Sequence, residues 1–296
     1  MGSLHDKLIQ ELEADFRHQA RQAIDNNLPA GRLVRIVPER TLPVSVTGQT
    51  CQQNCAHCNG HYLKGMVPIS RLFQFNFEEY DSVLISGGGL ANGEVALSSH
   101  AESLLQLPER LSLNLHPGFQ SPKNLLFLKD RKVIVSFDLP ASDNVVKKVF
   151  NLPYRASDYQ RLFLEFSQVF PTVPHINLGL DEEEFVGERE TIDFLAKHSP
   201  QQLVFIIFRP TPDTLMSERE PPNPAKAIEL ISYARKRLNC PIKIGCMRPS
   251  GEYRRTIDIL AWLHGIEHFV QADRTLVKIL QQADVEIEIR HQCCAL

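Results

Sequence analysis

Residues 42–60 read Leu42-Pro43-Val44-Ser45-Val46-Thr47-Gly48-Gln49-Thr50-Cys51-Gln52-Gln53-Asn54-Cys55-Ala56-His57-Cys58-Asn59-Gly60, a short apolar run followed by three cysteines spaced C-x-x-x-C-x-x-C. Three thiolates on one compact loop are one short of the four that usually close an iron–sulfur cluster. One iron of such a cluster keeps an open coordination position, where a small molecule can chelate. The competing reading is a structural zinc knot completed by His57, His61 or a distant cysteine. Zinc sites usually pair one C-x-x-C with another, or with two histidines about a dozen residues downstream. Neither arrangement follows here, and the spacing favours the cluster.

On both sides of this loop, β-rich runs alternate with helical periods. Strands are expected at 43–47, 82–86, 110–116, 132–137, 174–179, 202–208, 242–246 and 266–270. Helical stretches are expected between them at 98–107, 120–129, 156–170, 183–198, 223–238, 251–264 and 273–283. The clearest are Tyr159, Leu162, Phe163, Phe166 and Val169, then Phe185, Thr191, Ile192, Phe194 and Leu195. Their spacing puts each set on one helical face. Strands alternating with helices argue for a parallel sheet flanked by helices. The expected fold is therefore α/β, a (β/α)8 TIM-type barrel or a partly open barrel of fewer strands. Residues 4–26 carry apolar side chains at spacings of three and four, from Leu4 to Ile24. They predict one amphipathic helix capping an end of the barrel. The stretch 59–78 reads as loop with a short helical segment. No Pro/Gly/Ser-rich linker divides the chain, so one domain is expected. Residues 1–40 form the N-terminal helix and lead-in, 41–285 the barrel and 286–296 a C-terminal tail.

The length of 296 residues suits a single α/β barrel, and an apolar content of 43% supplies a large core. A net charge of −3 offers no electrostatic basis for binding nucleic acid or an anionic membrane. No charged n-region precedes an apolar h-region, and no stretch is long enough to span a bilayer. A cytoplasmic protein is expected. Seven cysteines in a reducing compartment point to metal binding or catalysis rather than disulfides.

A barrel carries its site at the carboxyl ends of its strands, where the cysteine loop falls. The second expected strand ends in Gly87-Gly88-Gly89, which allows close backbone approach to a ligand or simply makes a turn. The fourth ends in Asp138, an acceptor for ligand hydroxyls or amines, or else a cap or turn residue before Leu139-Pro140. The fifth runs His175-Ile176-Asn177-Leu178-Gly179-Leu180-Asp181-Glu182, where His175 alone reads as a satisfied histidine rather than a ligand. The sixth ends in Arg209, suited to bidentate carboxylate binding or to a loop ion pair. The seventh ends Gly245-Cys246-Met247-Arg248-Pro249-Ser250-Gly251, which makes Cys246 and Arg248 candidate catalytic residues. Cys246 is otherwise a small buried hydrophobe. Adjacent Cys293 and Cys294 suit metal ligation better than a mutual disulfide. With Cys240 and Cys246 they could complete a second cluster, although Cys240 before Pro241 is most simply structural and the tail pair could be functionless.

The cysteine loop resembles the signature loop of the radical S-adenosylmethionine (radical SAM) superfamily. That resemblance implies a [4Fe–4S] cluster on Cys51, Cys55 and Cys58 with SAM on the open iron. It also implies a 5′-deoxyadenosyl radical that takes hydrogen from an unactivated carbon. The triple glycine stands where the superfamily holds the methionine amine. Its usual acidic residue is replaced by Gly89, leaving backbone carbonyls to make the contact. Asp138, Gly179 and Arg209 stand where relatives contact the cofactor. From about residue 40 to 275 the chain is similar to biotin synthase-like members. Gly245 to Gly251, with Tyr253-Arg254 and Gly265-Ile266, resembles one subunit of a two-component lipoyl synthase. The resemblance then implies sulfur insertion into a protein-bound octanoyl chain, fed by a second iron–sulfur cluster. Implied partners are a second radical SAM subunit, a carrier-protein lipoyl domain as substrate, and ferredoxin or flavodoxin as electron donor. A relative that performs a rearrangement or metallocofactor assembly, and a non-catalytic zinc scaffold, are the other readings.

Overall fold

The computed structural model describes residues 3–182 and 184–296. Met1, Gly2 and Glu183, the first residue of the expected 183–198 helix, lie outside the described residues. The chain opens with α1 (Leu4–Gln10) and α2 (Ala14–Asp25), two helices where the apolar period predicts one. At the joint, Arg17 Nε donates to the Leu12 carbonyl at 2.9 Å. Leu8 and Leu12 remain buried across it, so the period alone does not reveal the break.

There follow β1 (Arg32–Ile36), β2 (Thr41–Ser45), β3 (Val67–Pro68), β4 (Ser82–Ser86), α3 (Ala101–Leu105), β5 (Ser112–Leu115) and β6 (Val133–Asp138). The second half adds α4 (Ala156–Ser167), β7 (Thr172–Leu178), α5 (Val186–Ala196), β8 (Leu203–Ile207), α6 (Pro224–Arg237) and β9 (Ile242–Ile244). It ends with α7 (Glu252–Leu263), β10 (His268–Val270), α8 (Arg274–Gln281) and β11 (Glu286–Arg290). The expected helix at 120–129 is a run of 3-10 turns at Pro122–Leu128. The stretch 59–78 holds three further short 3-10 segments. Local signals match the helices that form. α6 starts at Asn223, whose side chain accepts from Ala225 N at 2.8 Å, with Pro224 in the first turn.

Among the described residues the strands form one parallel sheet in the order β11-β1-β10-β9-β8-β7-β6-β5-β4-β2-β3. Runs such as Leu203-Val204-Phe205-Ile206-Ile207 suit parallel strands covered on both faces. β2 and β4 to β10 overlap the eight expected strands, and β1, β3 and β11 are additional. β1 takes its partners at the far edge, with Val34 opposite His268 and Arg32 opposite Glu286. Short β3 covers the outer side of β2, with Ser45 opposite Pro68. The eight-strand ring therefore stays unclosed by pairing between β2 and β10, and the fold is a curled partial barrel. α1 packs on α8 and α2 on α7, so the N-terminal helices extend the outer layer beside the last strands.

The main core lies between the sheet and its helices. A second, smaller core fills the lumen, where Val34, Ile36, Val173, Val204 and Val270 meet Cys294 and Ala295. Residues 286–290, expected as part of a tail, form β11, and the chain beyond them turns inward. Lys243 Nζ donates to the Cys294 carbonyl at 2.6 Å, and Gln202 Nε2 to the Ala295 carbonyl at 2.6 Å. Among the described residues no helix is long and apolar enough to cross a membrane.

Candidate functional site

The carboxyl ends of the strands enclose a cavity of about 400 Å³, within the range of small-molecule sites. Cys51, Cys55 and Cys58 stand on its wall. Their loop is seated by backbone bonds: Gln52 N and Gln53 N donate to the Gly89 carbonyl at 2.8 and 3.1 Å, and Ala56 N to the Val149 carbonyl at 2.8 Å. Gln53 Nε2 reaches the Phe150 carbonyl at 2.9 Å. Cys55 donates to Cys58, which lowers the Cys58 thiol to about 7 and raises that of Cys55. Metal binding would displace the protons that the thiols hold.

Gly87, Gly88 and Gly89 line the same cavity, but two of them serve the cysteine loop. A Cβ on Gly88 would lie 2.0 Å from the Thr50 carbonyl oxygen and 2.6 Å from Cys51 Cα. One on Gly89 would lie 2.1 Å from Gln53 Oε1. The Gly89 carbonyl, one of the backbone carbonyls expected to hold the methionine amine, already accepts from two amides. Of the three, Gly87 and Gly88 keep that role open. A Gly88→Ala variant should lose iron on reconstitution, because backbone atoms cannot yield as a flexible side chain can. The cost expected is about 3 kcal/mol or more, read as a lower melting temperature together with lower iron content. Gly87→Ala, whose Cβ meets only side-chain atoms at 3.0–3.2 Å, should suffer less.

Asp138 ends β6 and opens onto the cavity, where enclosure by protein raises its pKa to about 6. Tyr159 from α4, Tyr62, His116 and Asn177 also face the cavity, and no motif in the sequence marks them. Burial holds His57 neutral, with a pKa lowered to about 4. His57 Nδ1 and Asn177 Oδ1 are buried on this wall with no hydrogen-bond partner. Such orphaned polar atoms suit a cavity that receives a polar ligand.

The floor is formed by Cys246, Cys293, Cys294 and His175. Cys293 Sγ lies 3.9 Å from Cys294 Sγ and 3.2 Å from Asn114 Nδ2. Cys294 Sγ lies 3.9 Å from His175 Nε2. Cys246 is open to the cavity, and its thiol pKa is pushed up chiefly by enclosure. Among the described residues no three Cys, His, Asp or Glu side chains converge as the ligands of a single metal ion would.

Other expected site residues do not line the cavity. Arg248 is fully buried and paired with Asp258, Nη2 to Oδ2 being 2.8 Å, so it does not act in the cavity. A guanidinium carried below the sheet ends finds a buried carboxylate on α7 instead of substrate. Arg209 stands behind Tyr62 at the cavity's edge, its Cζ 5.5 Å from the ring of that lining residue. Gly179, at φ +85°, packs on Pro222, where a Cβ would come within 2.9 Å. Its N–H donates to Glu188 Oε1 at 3.2 Å, so it shapes a turn behind the wall. Cys240 packs against the main core, its thiol pushed up to about 11 by burial, and takes no part in the floor set.

No family model and no curated protein matches the chain. Solved structures do. The chain is similar to methylornithine synthase (PylB), at 11% identity and a TM-score of 0.60 over 98% of each chain. It is similar to HydG, a maturase of the [FeFe]-hydrogenase, at 12% identity and a TM-score of 0.58 over 93% of this chain and 68% of that one. It is also similar to Streptococcus suis SuiB bound to S-adenosylmethionine, at 12% identity and a TM-score of 0.53 over 81% of this chain and 56% of that one. At such identities the likeness is one of fold.

Proposed function

We propose that the chain is a radical SAM enzyme, with Cys51, Cys55 and Cys58 holding a [4Fe–4S] cluster and the adjoining cavity taking SAM. The observation that carries this reading is the seating of the three thiols of one loop on the wall of a cavity, inside a fold similar to that of a structure bound to S-adenosylmethionine. When bound, cluster and SAM supply reductive cleavage of the sulfonium and a carbon radical able to take hydrogen from an unactivated carbon. The chain's own residues bind, orient and shield. Thr47 Oγ1 accepts from Gly88 N at 2.7 Å, holding the glycine strand end against the cysteine loop. Phe137, Leu139, Val145 and Phe150 give the cavity an apolar wall that excludes water from a reactive centre.

Asp138 is the acceptor we assign to the ribose hydroxyls or amine of SAM. Its raised pKa of about 6 sets the direction of the pH dependence. Above that value the carboxylate is charged and accepts; below it the acid is neutral and accepts less well. SAM affinity should therefore fall as pH drops through 6, and Asp138→Asn should weaken binding and flatten the profile. Titration of SAM binding between pH 5 and 8 checks this; a wild-type profile that is already flat would remove Asp138 from the role.

For the overall reaction, sulfur insertion into an octanoyl chain on a carrier-protein lipoyl domain is the reading we favour. Cys246, Cys293 and Cys294 share the cavity with the first cysteine set, which supports a second iron–sulfur cluster within reach of substrate as the sulfur source. A second radical SAM subunit and a ferredoxin or flavodoxin donor complete this proposal. A second reading is a radical SAM enzyme of another reaction type, such as rearrangement of a carbon skeleton, on a fold similar to that of methylornithine synthase over 98% of both chains. Anaerobically reconstituted protein incubated with SAM, reductant and an octanoyl-lysyl peptide separates the two. A gain of sulfur mass on the peptide supports the first; deoxyadenosine without sulfur transfer leaves the second.

A further inference from the structure

Val145–Val149 form a single π-helical turn, a rare geometry that frequently marks functional sites. The turn buries Val145, Val146 and Val149 and leaves the adjacent Lys147 and Lys148 in solvent. Neither lysine has a hydrogen-bond or ion-pair partner among the described residues. Beneath them a small apolar cluster joins three segments: Ala56 of the cysteine loop, Val145 and Val149 of the turn, and Met216 of the segment after β8. Backbone bonds run through the same place. Ala56 N donates to the Val149 carbonyl at 2.8 Å, and Met216 N to the Ala56 carbonyl at 3.2 Å. The Phe150 carbonyl oxygen lies 3.8 Å from Cys55 Sγ, so the two lysines stand within three residues of an atom in contact with a wall thiol.

Next to Met216 stands Leu215, 91% exposed. A single exposed leucine needs no explanation. This one shares its packed base with two unpaired lysines and with the cysteine loop, which holds all three side chains in a fixed relation to the cluster site. Asp213 and Glu218, exposed on the same loop as Leu215, repel acidic side chains and so bias an acidic partner toward the lysines. We propose that Lys147, Lys148 and Leu215 form the docking surface for an acidic one-electron donor protein, the lysines meeting carboxylates and Leu215 an apolar contact. The inference rests on the radical SAM reading and adds the place at which the electron enters. The reduced flavin or iron–sulfur centre of the donor loses one electron and the cluster on the wall thiols gains it; no group passes between the proteins. Such transfer weakens steeply with distance, which favours a donor seated beside Cys55.

The test uses full-length, anaerobically reconstituted protein, with flavodoxin and ferredoxin as probes and dithionite as a reductant that needs no docking. Lys147→Glu/Lys148→Glu should slow association with whichever donor binds by about tenfold or more at low salt, and should remove most of its salt dependence. Leu215→Ser should raise the dissociation constant at low and high salt alike. Both variants should cleave SAM with dithionite as the wild type does. Donor binding indifferent to the lysine charge reversal overturns the docking surface, as does wild-type protein that binds neither donor. A variant that also loses dithionite-driven cleavage overturns it too, since the defect then lies in the site and not in docking. Absence of dithionite-driven cleavage from the wild type overturns the radical SAM reading itself, and the docking surface with it.

Discussion

Alanine in place of any one of Cys51, Cys55 and Cys58 is expected to reduce SAM cleavage to background and to remove about four iron per chain from anaerobically reconstituted protein. The expectation follows from donor count. Three thiolates are the minimum that leaves one iron open. Loss of one donor should therefore cost the whole cluster. Cys240→Ala is the control: that thiol packs against the main core, away from the cavity, and should retain iron and cleavage. Should a wall-cysteine variant keep both its iron and full deoxyadenosine production, the radical SAM reading fails. Because the floor set is separate, the iron that remains in these variants also reports how many clusters the protein carries.

The second large effect concerns stability. Arg248→Met should destabilise the fold by about 3–5 kcal/mol, because it strands a carboxylate in the core. Arg248 uses both ends of its guanidinium. Nε and Nη2 bind Asp258 Oδ1 and Oδ2 at 2.9 and 2.8 Å, and the remaining N–H groups reach the carbonyls of Gly245, Val270 and Gln271. Asp258 also accepts from Asp273 N at 2.8 Å. The pair ties the ends of β9 and β10 to α7. Burial raises the Asp258 pKa against the opposing pull of Arg248, so removing the arginine leaves the acid to take up a proton or unfold its surroundings. The double change Arg248→Met/Asp258→Leu should recover part of the loss. Urea denaturation followed by circular dichroism measures both. The outcome also separates structure from catalysis: turnover per folded, iron-loaded molecule should survive Arg248→Met, and a selective loss of turnover at unchanged stability would return Arg248 to the chemistry.

Much of the barrel was legible along the chain. Strands such as 82–86 and 202–208, and helices such as 156–170, announce themselves through apolar period and capping residues, which act within a few residues of one another. β1 did not: Arg32-Leu33-Val34-Arg35-Ile36 is short, and it becomes a strand by pairing with β10 and β11, more than two hundred residues away. The cysteine loop was equally legible, since its ligands are local. Arg248 was misjudged for a related reason. A charged residue at a strand end can turn into the mouth or into the core, and only the position of Asp258 decides which.

By itself, then, the order of residues determined the α/β alternation and the three-thiol loop, because both depend on spacings that a local stretch of backbone converts directly into geometry. Tertiary structure decided that the sheet curls without closing and that Gly88 serves the cysteine loop as its seat. It also brought Cys246, Cys293, Cys294 and His175 to one floor. Those outcomes arise from hydrogen-bond register and from the exclusion of water between segments distant in the chain, and no local spacing records either.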